Sequence, residues 1–365
     1  LLTNKEYSRL DQRDKSLVSL LVLTTLRRNG QINIVLSKFI KKPLKKNFIV
    51  NYLLKISVAQ ILYLEFPEYS TVHSAVEISK KYKSEKFINA VLRNICKNKK
   101  QLVENIPTTN NIPDWIKKDL KGFLGEKRLA SIADQICKEP YIDINIKSKE
   151  FESYEWEKIL KGENVFKNIV RIKSQSNIVD LPFYKEGSWW VQGLSSSLPV
   201  YIISTIFKEN KKKGTVLDVG AAPGGKSFQL IDLGFKVKSI EISKKRILTF
   251  NANLNRLKIN SKIINEDFLN AELKEKFDCI LIDAPCSGSG LMQKKPEMLV
   301  VKKDISSLLL KQKKMLLRAS SLVKDGGYII YCVCSLLKEE GEKQIANFLD
   351  DQKCFSTENF FSDIL

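Results

Sequence analysis

Apolar positions recur at helical spacing through the first part of the chain. Leu10, Leu17, Leu20 and Leu21 share one stripe, residues 50–64 repeat the period and stop just before Pro67, and residues 72–79 and 85–95 add two more runs. Gly30 is the single glycine before residue 100, so the pattern predicts a helical bundle. The stretch 106–113, with Ile-Pro at each end and Thr and Asn between, reads as a linker. Residues 115–124 and 126–137 predict helices, whereas 142–146 and 170–172 alternate apolar and polar positions like short strands. From Val216 onward the rhythm changes. Short β-rich runs at 215–219, 237–242, 263–264, 279–282 and 328–333 alternate with helix-compatible segments such as 226–233 and 243–257. That alternation implies a mostly parallel sheet with helices on both faces and a ligand site at the carboxyl ends of its strands. The expected architecture is multidomain: an all-α domain over 1–105, a small α+β subdomain over 106–185, and an α/β Rossmann-like domain over 186–365.

Composition sharpens this picture modestly. A chain of 365 residues with 43% hydrophobic content is long enough for more than one core and is not disordered. Its formal net charge of +20 suits a polyanionic partner such as nucleic acid, although an AT-rich genome drifting towards Lys, Asn and Ile would raise it too. The longest apolar stretches are interrupted, as by Asn51 and Lys55, so no membrane span is expected. Lys5, Glu6, Arg9 and Asp11 break any signal-peptide pattern. Seven cysteines, an odd number without a disulfide-scaffold spacing, and a single histidine predict a cytoplasmic protein with free thiols and no metal site.

The first β-rich run leads into Asp218-Val219-Gly220-Ala221-Ala222-Pro223-Gly224-Gly225-Lys226-Ser227, small residues that let backbone approach a ligand before a helix N-terminus. Glu241 ends the next strand, where an acid can accept ribose hydroxyls. A dinucleotide would want the G-x-G-x-x-G spacing, which is missing. Gly220 to Ser227 formally fits a P-loop, but Pro223 removes an N–H that would cradle phosphate. Asp218 suits a sulfonium cofactor carrying an ammonium group, so S-adenosylmethionine is favoured. Asp267, after the third strand, is a candidate partner for an adenine amino group.

The fourth strand ends in Asp283-Ala284-Pro285-Cys286-Ser287-Gly288-Ser289-Gly290 and the fifth in Tyr331-Cys332-Val333-Cys334-Ser335. Both put cysteine at the carboxyl edge of the sheet. A lone strand cysteine is usually a small hydrophobe. Two such ends, one with an acid three positions earlier, point to chemistry instead. Carbon 5 of cytosine attacks a methyl group only after a thiolate adds to carbon 6, with an acid at N3 to neutralise developing charge. Asp283 is the candidate acid. Periodicity alone does not choose among Cys286, Cys332 and Cys334.

These motifs resemble those of the bacterial ribosomal RNA cytosine-5 methyltransferases of the Sun (Fmu, RsmB) type, in the RsmB/NOP family, which carry a NusB-like N-terminal domain. The resemblance covers nearly the whole chain, including NusB-like runs at 53–62 and 87–93. It implies that Cys334 is the nucleophile, that Cys286 assists release of the methylated base, and that Cys332 is incidental. It also implies that Asp218, Ala221, Ala222, Pro223, Gly224, Gly225, Lys226, Glu241, Arg246, Asp267 and Asp283 serve the S-adenosylmethionine site. The expected activity is methylation of carbon 5 of a cytosine in 16S ribosomal RNA by a monomeric enzyme. In the same terms the first domain is an RNA-binding helper and the middle segment an RNA-recognition-like subdomain. Alternatives are a non-catalytic RNA-binding or ribosome assembly factor, a tRNA cytosine-5 methyltransferase, or a DNA cytosine methyltransferase using the Pro-Cys of the fourth strand.

The chain departs from the family pattern in places. Gly220 replaces a usual cysteine, Asp143-Ile144-Asn145 stands for Arg-Val-Asn, Gln192-Gly193 for Gln-Asp, and Lys294-Lys295 for arginines, which costs the planar guanidinium fork. The chain begins with Leu1 rather than Met and ends at Leu365, soon after Cys334, where the family continues into a final strand pair. A truncated or reduced sheet edge is therefore expected.

Overall fold

The computed structural model describes residues 4–41, 49–173, 177–209, 214–301 and 304–359. It divides into two units, Leu1–Glu139 with Ser289–Lys303, and Pro140–Gly288 with Asp304–Leu365.

The first unit is helical, and its helices follow the apolar stripes. Helices Ile49–Tyr63, Glu68–Ser79 and Glu85–Lys97 match the expected runs to within a few residues. In the last of these, Ile88, Val91, Leu92 and Ile95 are buried while Lys86 and Arg93 are exposed, which is the one-sided spacing of a helix laid on a core. They pack with Val50, Leu54, Val58 and Ile61. Leu10 falls outside the helix Gln12–Arg27, which starts on an Asp11 cap accepting from Asp14 N–H at 2.8 Å. The helix Asn29–Phe39 adds to the bundle between the apolar runs named above, with Gly30 in its first turn.

That glycine also explains why 106–113 is not a free linker. Asn111 is buried, its Oδ1 accepts the Gln31 backbone N–H, and Gln31 Nε2 donates to the Ile106 carbonyl. A Cβ on Gly30 would lie 1.8 Å from the Asn110 carbonyl oxygen, so only glycine lets this turn close on the helix. The two expected helices that follow form one assignment, Asp114–Ile136, broken at Gly125 with φ 76° and ψ 171°. The unit is completed by a later stretch of chain. The turn Pro296–Leu299 packs on the helix Gln12–Arg27, Met292, Met298 and Leu299 are buried, and Arg27 Nη2 donates to the Gln293 carbonyl at 3.4 Å. Among the described residues no helix is long and apolar enough to cross a membrane.

The second unit begins with an antiparallel sheet of β1 (Ile142–Ile146), β2 (Glu163–Phe166), β3 (Ile169–Ile172) and β4 (Trp189–Val191), in the order β2-β3-β1-β4. The alternation in β1 and β3 was legible, but β2 is mostly solvent-exposed and β4 is a short Trp-Trp-Val run. Asp143 pairs across the register with Arg171, through two bonds of 2.6 and 3.0 Å, so the family's arginine is replaced here by an acid that a neighbouring strand neutralises.

A parallel sheet follows, with β5 (Thr215–Val219), β6 (Lys236–Ile240), β7 (Ile263–Ile264), β8 (Phe277–Asp283) and β9 (Val323–Cys332) in the order β7-β6-β5-β8-β9. Successive residues face opposite sides, as strand geometry requires. Val216, Cys279, Leu281 and Ile330 pack with Val200, Ile203 and Leu230 on one side. Leu217, Val219, Ile280, Ile282 and Ile329 pack with Met315, Leu316 and Ala319 on the other. Both faces are thus covered by helices, the expected environment of a parallel sheet. β9 starts earlier than its apolar run, because Val323 already pairs with Phe277 and Lys324-Asp325-Gly326-Gly327 bulge out before pairing resumes at Tyr328 with Cys279. Asp278 braces that end of the sheet, accepting from Thr215 N–H at 2.8 Å, Thr215 Oγ1 at 2.7 Å and Lys324 Nζ at 2.9 Å. After β5 the chain adds strands on one side and then returns to β8 on the other. The carboxyl ends of β5 and β8 therefore flank the point where the strand order reverses, the usual place for a ligand.

Candidate functional site

The residues expected to hold the cofactor or do the chemistry lie in the second unit, at or just beyond the carboxyl ends of β5, β6, β7, β8 and β9. Asp218 is fully buried in β5. Its Oδ2 accepts from Ser227 Oγ at 2.5 Å, and Oδ1 has no hydrogen-bond partner among the described residues. Burial holds its pKa up at about 6, against the lowering pull of Ser227 and Lys226. A buried carboxylate oxygen without a donor is costly, and a ligand ammonium would satisfy it.

The loop after β5 turns on glycines. Gly220 has φ 77°, and a Cβ there would meet the Asp283 carbonyl oxygen at 2.7 Å. The replacement of a family cysteine by Gly220 thus suits a left-handed backbone pressed against β8. Gly224, with φ 116°, precedes the helix Gly225–Asp232. Gly225 sits against the buried Gln192 side chain, whose Nε2 donates to Gln229 Oε1 at 2.9 Å and whose Oε1 accepts from Trp190 Nε1 at 2.7 Å. Ala221, Ala222 and Pro223 fill the bend, with the two alanines buried.

Glu241, just past β6, is buried and accepts from Ser243 N–H at 2.9 Å. Arg246 Nη1 approaches its Oε2 at 2.8 Å without hydrogen-bond alignment, so that oxygen is charge-paired but keeps accepting capacity. Arg246 Nη2 also donates to the Ala222 carbonyl, tying the acid to the loop. Asp267, beyond β7, caps a turn by accepting from Leu269 N–H at 3.1 Å. Two acids, an orphaned carboxylate oxygen and a glycine-opened loop along one sheet edge fit S-adenosylmethionine.

The reactive groups sit beside that loop. Lys226 Nζ lies 2.8 Å from Asp283 Oδ2, with the lysine the more buried partner. Burial pulls the Lys226 ammonium down, but Asp283 and its other neighbours outweigh it, and its pKa ends above the usual lysine value. Cys286 Sγ and Cys334 Sγ are 3.1 Å apart, with Cys334 exposed and Cys286 half-buried. The Cys334 thiol and burial push the Cys286 pKa up, so Cys286 keeps its proton while the two sulfurs face each other. Burial pushes the Cys332 thiol up to about 12, the behaviour of a packed sulfur.

One functional-looking residue escaped the sequence reading. Glu340 is completely buried in the loop after β9. It accepts from Ser287 N–H at 2.7 Å, from Ser287 Oγ, and from Gln312 Nε2 at 3.1 Å. Within Lys338-Glu339-Glu340 it reads as part of a solvated charge run, and no spacing marks it as buried.

Residues 205–363 match the family model described as 16S rRNA methyltransferase RsmB/F, and residues 1–97 match the NusB family. A Proteus mirabilis protein named ribosomal RNA small subunit methyltransferase B is 28% identical, over 94% of this chain and 85% of its own. A Bacillus subtilis protein named probable ribosomal RNA small subunit methyltransferase B is 29% identical, over 95% of this chain and 82% of its own. Among solved structures, that of PH0851 aligns with a TM-score of 0.72 at 24% identity, over 95% of this chain and 83% of that one. A methyltransferase homologue from Pyrococcus horikoshii aligns at 0.54 and 24%, over 66% and 79%. These two share the fold.

Proposed function

We propose that this chain, which joins a NusB-family domain to a methyltransferase domain of the 16S rRNA methyltransferase RsmB/F family, methylates carbon 5 of a cytosine in small-subunit ribosomal RNA with S-adenosylmethionine. The observation that carries the reading is the pair of sulfurs, Cys286 and Cys334, 3.1 Å apart at adjacent strand ends beside the Lys226–Asp283 pair.

Cys334, the exposed sulfur, adds as thiolate to carbon 6 of the cytosine. That bond turns carbon 5 into an enamine carbon able to take a methyl group. Charge grows at N3 during the addition, and Asp283 meets it there. Asp283 gives N3 its carboxyl proton, and the Lys226 ammonium 2.8 Å away, which holds its own proton more tightly than an ordinary lysine, neutralises the carboxylate left behind. Bound S-adenosylmethionine supplies an electrophilic methyl group on its sulfonium. Asp218 would hold its ammonium, Glu241 its ribose hydroxyls, Asp267 its adenine amino group, and residues 221–226 its flank, with Arg246 fixing Glu241.

Release requires loss of the carbon 5 proton and breakage of the carbon 6–sulfur bond. Cys334, once bonded to the base, no longer faces Cys286 as a thiol. The largest cause of the raised Cys286 pKa is then gone, so the Cys286 thiol gives up its proton to solvent and as thiolate takes the carbon 5 proton, whose bonding electrons re-form the 5,6 double bond and expel Cys334 as thiolate. The target cytosine must leave its stack to reach these groups.

The test is methyl-tritium transfer from labelled cofactor to 16S ribosomal RNA, with 5-methylcytosine mapped in the product. Cys334→Ala should fall to background, and Cys286→Ala should trap a covalent RNA adduct on a denaturing gel. Full activity in Cys334→Ala would sink the reading.

A further inference from the structure

We propose that Glu340 is a positioning residue for the release step, a buried carboxylate that clamps both residues flanking Cys286. The inference rests on the function proposed above. Cys286 lies between Pro285 and Ser287, and both are held by one network. Glu340 takes the Ser287 N–H and hydroxyl directly, while Gln312 Nε2 donates both to Glu340 Oε1 at 3.1 Å and to the Pro285 carbonyl at 2.9 Å. Gln344 Nε2 donates to Gln312 Oε1 at 3.2 Å, which fixes the orientation of that amide. The hub itself is anchored, since Tyr331 OH donates to the Glu340 carbonyl at 2.8 Å from the end of β9.

Hydrogen bonds to a buried carboxylate are strong and directional, and their geometry converges on the Cys286 loop. Cys334 is placed differently. It follows β9, whose pairing with β8 runs through Asp283↔Cys332, and the Glu340 turn is tied to its segment through main-chain groups, the Glu340 carbonyl taking Tyr331 OH and the Glu340 N–H reaching the Leu337 carbonyl at 3.1 Å, which a change of the 340 side chain leaves in place. Loosening Glu340 therefore moves the sulfur that works after the adduct has formed more than the sulfur that forms it. An amide at position 340 can keep its oxygen on the Ser287 and Gln312 N–H groups and give its N–H to the Ser287 hydroxyl, but it removes the charge that makes these bonds strong, so Glu340→Gln weakens the clamp while keeping its volume.

The experiment uses the full chain, in vitro transcribed 16S ribosomal RNA and S-adenosylmethionine, and reads two rates separately: covalent adduct formation in a single turnover, and steady-state tritium transfer. Glu340→Gln should form adduct within about threefold of the unsubstituted protein yet turn over at least about tenfold more slowly, accumulating the same slow gel band as Cys286→Ala. Gln312→Met, which cuts the Pro285 tether, should show the same split more weakly and serves where Glu340→Gln does not fold. Adduct formation and turnover falling together, or neither changing, would overturn the proposal. So would loss of the melting transition in both variants, which would make the network purely structural. An active Cys334→Ala, or no transfer by the unsubstituted protein, would instead refute the underlying reading. Expected behaviour in both cysteine variants with an unaffected Glu340→Gln would remove this inference alone.

Discussion

Asp218 combines complete burial, an unpartnered oxygen and a pKa held up at about 6. Its folded value is raised above the unfolded one, so its contribution to stability is fully present below about pH 4 and is lost as pH rises through about 6. Asp218→Asn should therefore raise the melting temperature of the cofactor-free protein at pH 7.5 by a few degrees and change it little at pH 4. The same variant should weaken S-adenosylmethionine about 10–100-fold by calorimetry, the loss of a bond to a charged group. Unchanged affinity would detach Asp218 from the cofactor. At this scale the sequence exposed what motifs carry, namely Asp218, Glu241, Asp283 and the cysteines. It concealed Glu340, because burial of a charged side chain depends on which distant loops close over it, and no local spacing records that.

Elements were legible where one apolar stripe met one core, as in Glu85–Lys97, or where alternation served a two-sided sheet, as in β5. Misreadings fell where a glycine answered to a distant contact. Gly30 sits inside a helix because the turn at 108–111 presses on it, and β9 bulges around Gly327, where a Cβ would lie 2.8 Å from the Asp278 carbonyl oxygen. Gly30→Ala weighs these effects against each other. Helix propensity gains about 1 kcal/mol, whereas the 1.8 Å approach to the Asn110 oxygen forces backbone to move at a cost of about 1–3 kcal/mol or more. The collision should win, giving net destabilisation in urea titrations and faster amide exchange in Asn29–Phe39; a gain in stability would contradict the packing.

The sheet has its own acid sensitivity. Burial opposes the Asp278 charge, but the donors from Thr215 and Lys324 win and hold its pKa down at about 2. Its stabilisation is present above about pH 4 and lost as pH falls through about 2. Asp278→Asn should destabilise by about 1–2 kcal/mol at pH 7, with the deficit vanishing at the acid end of a melting series. A deficit that persists there would exclude the carboxylate as its source.

For the whole molecule, the net charge of +20 predicts an RNA affinity that falls linearly on a log–log plot against salt. Filter binding of 16S ribosomal RNA between low and physiological salt reads it directly, and a flat response would rule out phosphate contacts as the main attraction. The division into two units has a consequence for synthesis. The helical unit draws Ser289–Lys303 from far along the chain, and Met292, Met298 and Leu299 in that stretch are buried. A ribosome emits the chain from its N-terminus, and domains ordinarily fold in that order. Here the face of Gln12–Arg27 on which Pro296–Leu299 packs stays uncovered until β1 to β8 have been made. The helical unit is thus finished only after the strand that carries Asp283 and leads to Cys286, and an arrested nascent chain would not release a finished helical unit without that strand.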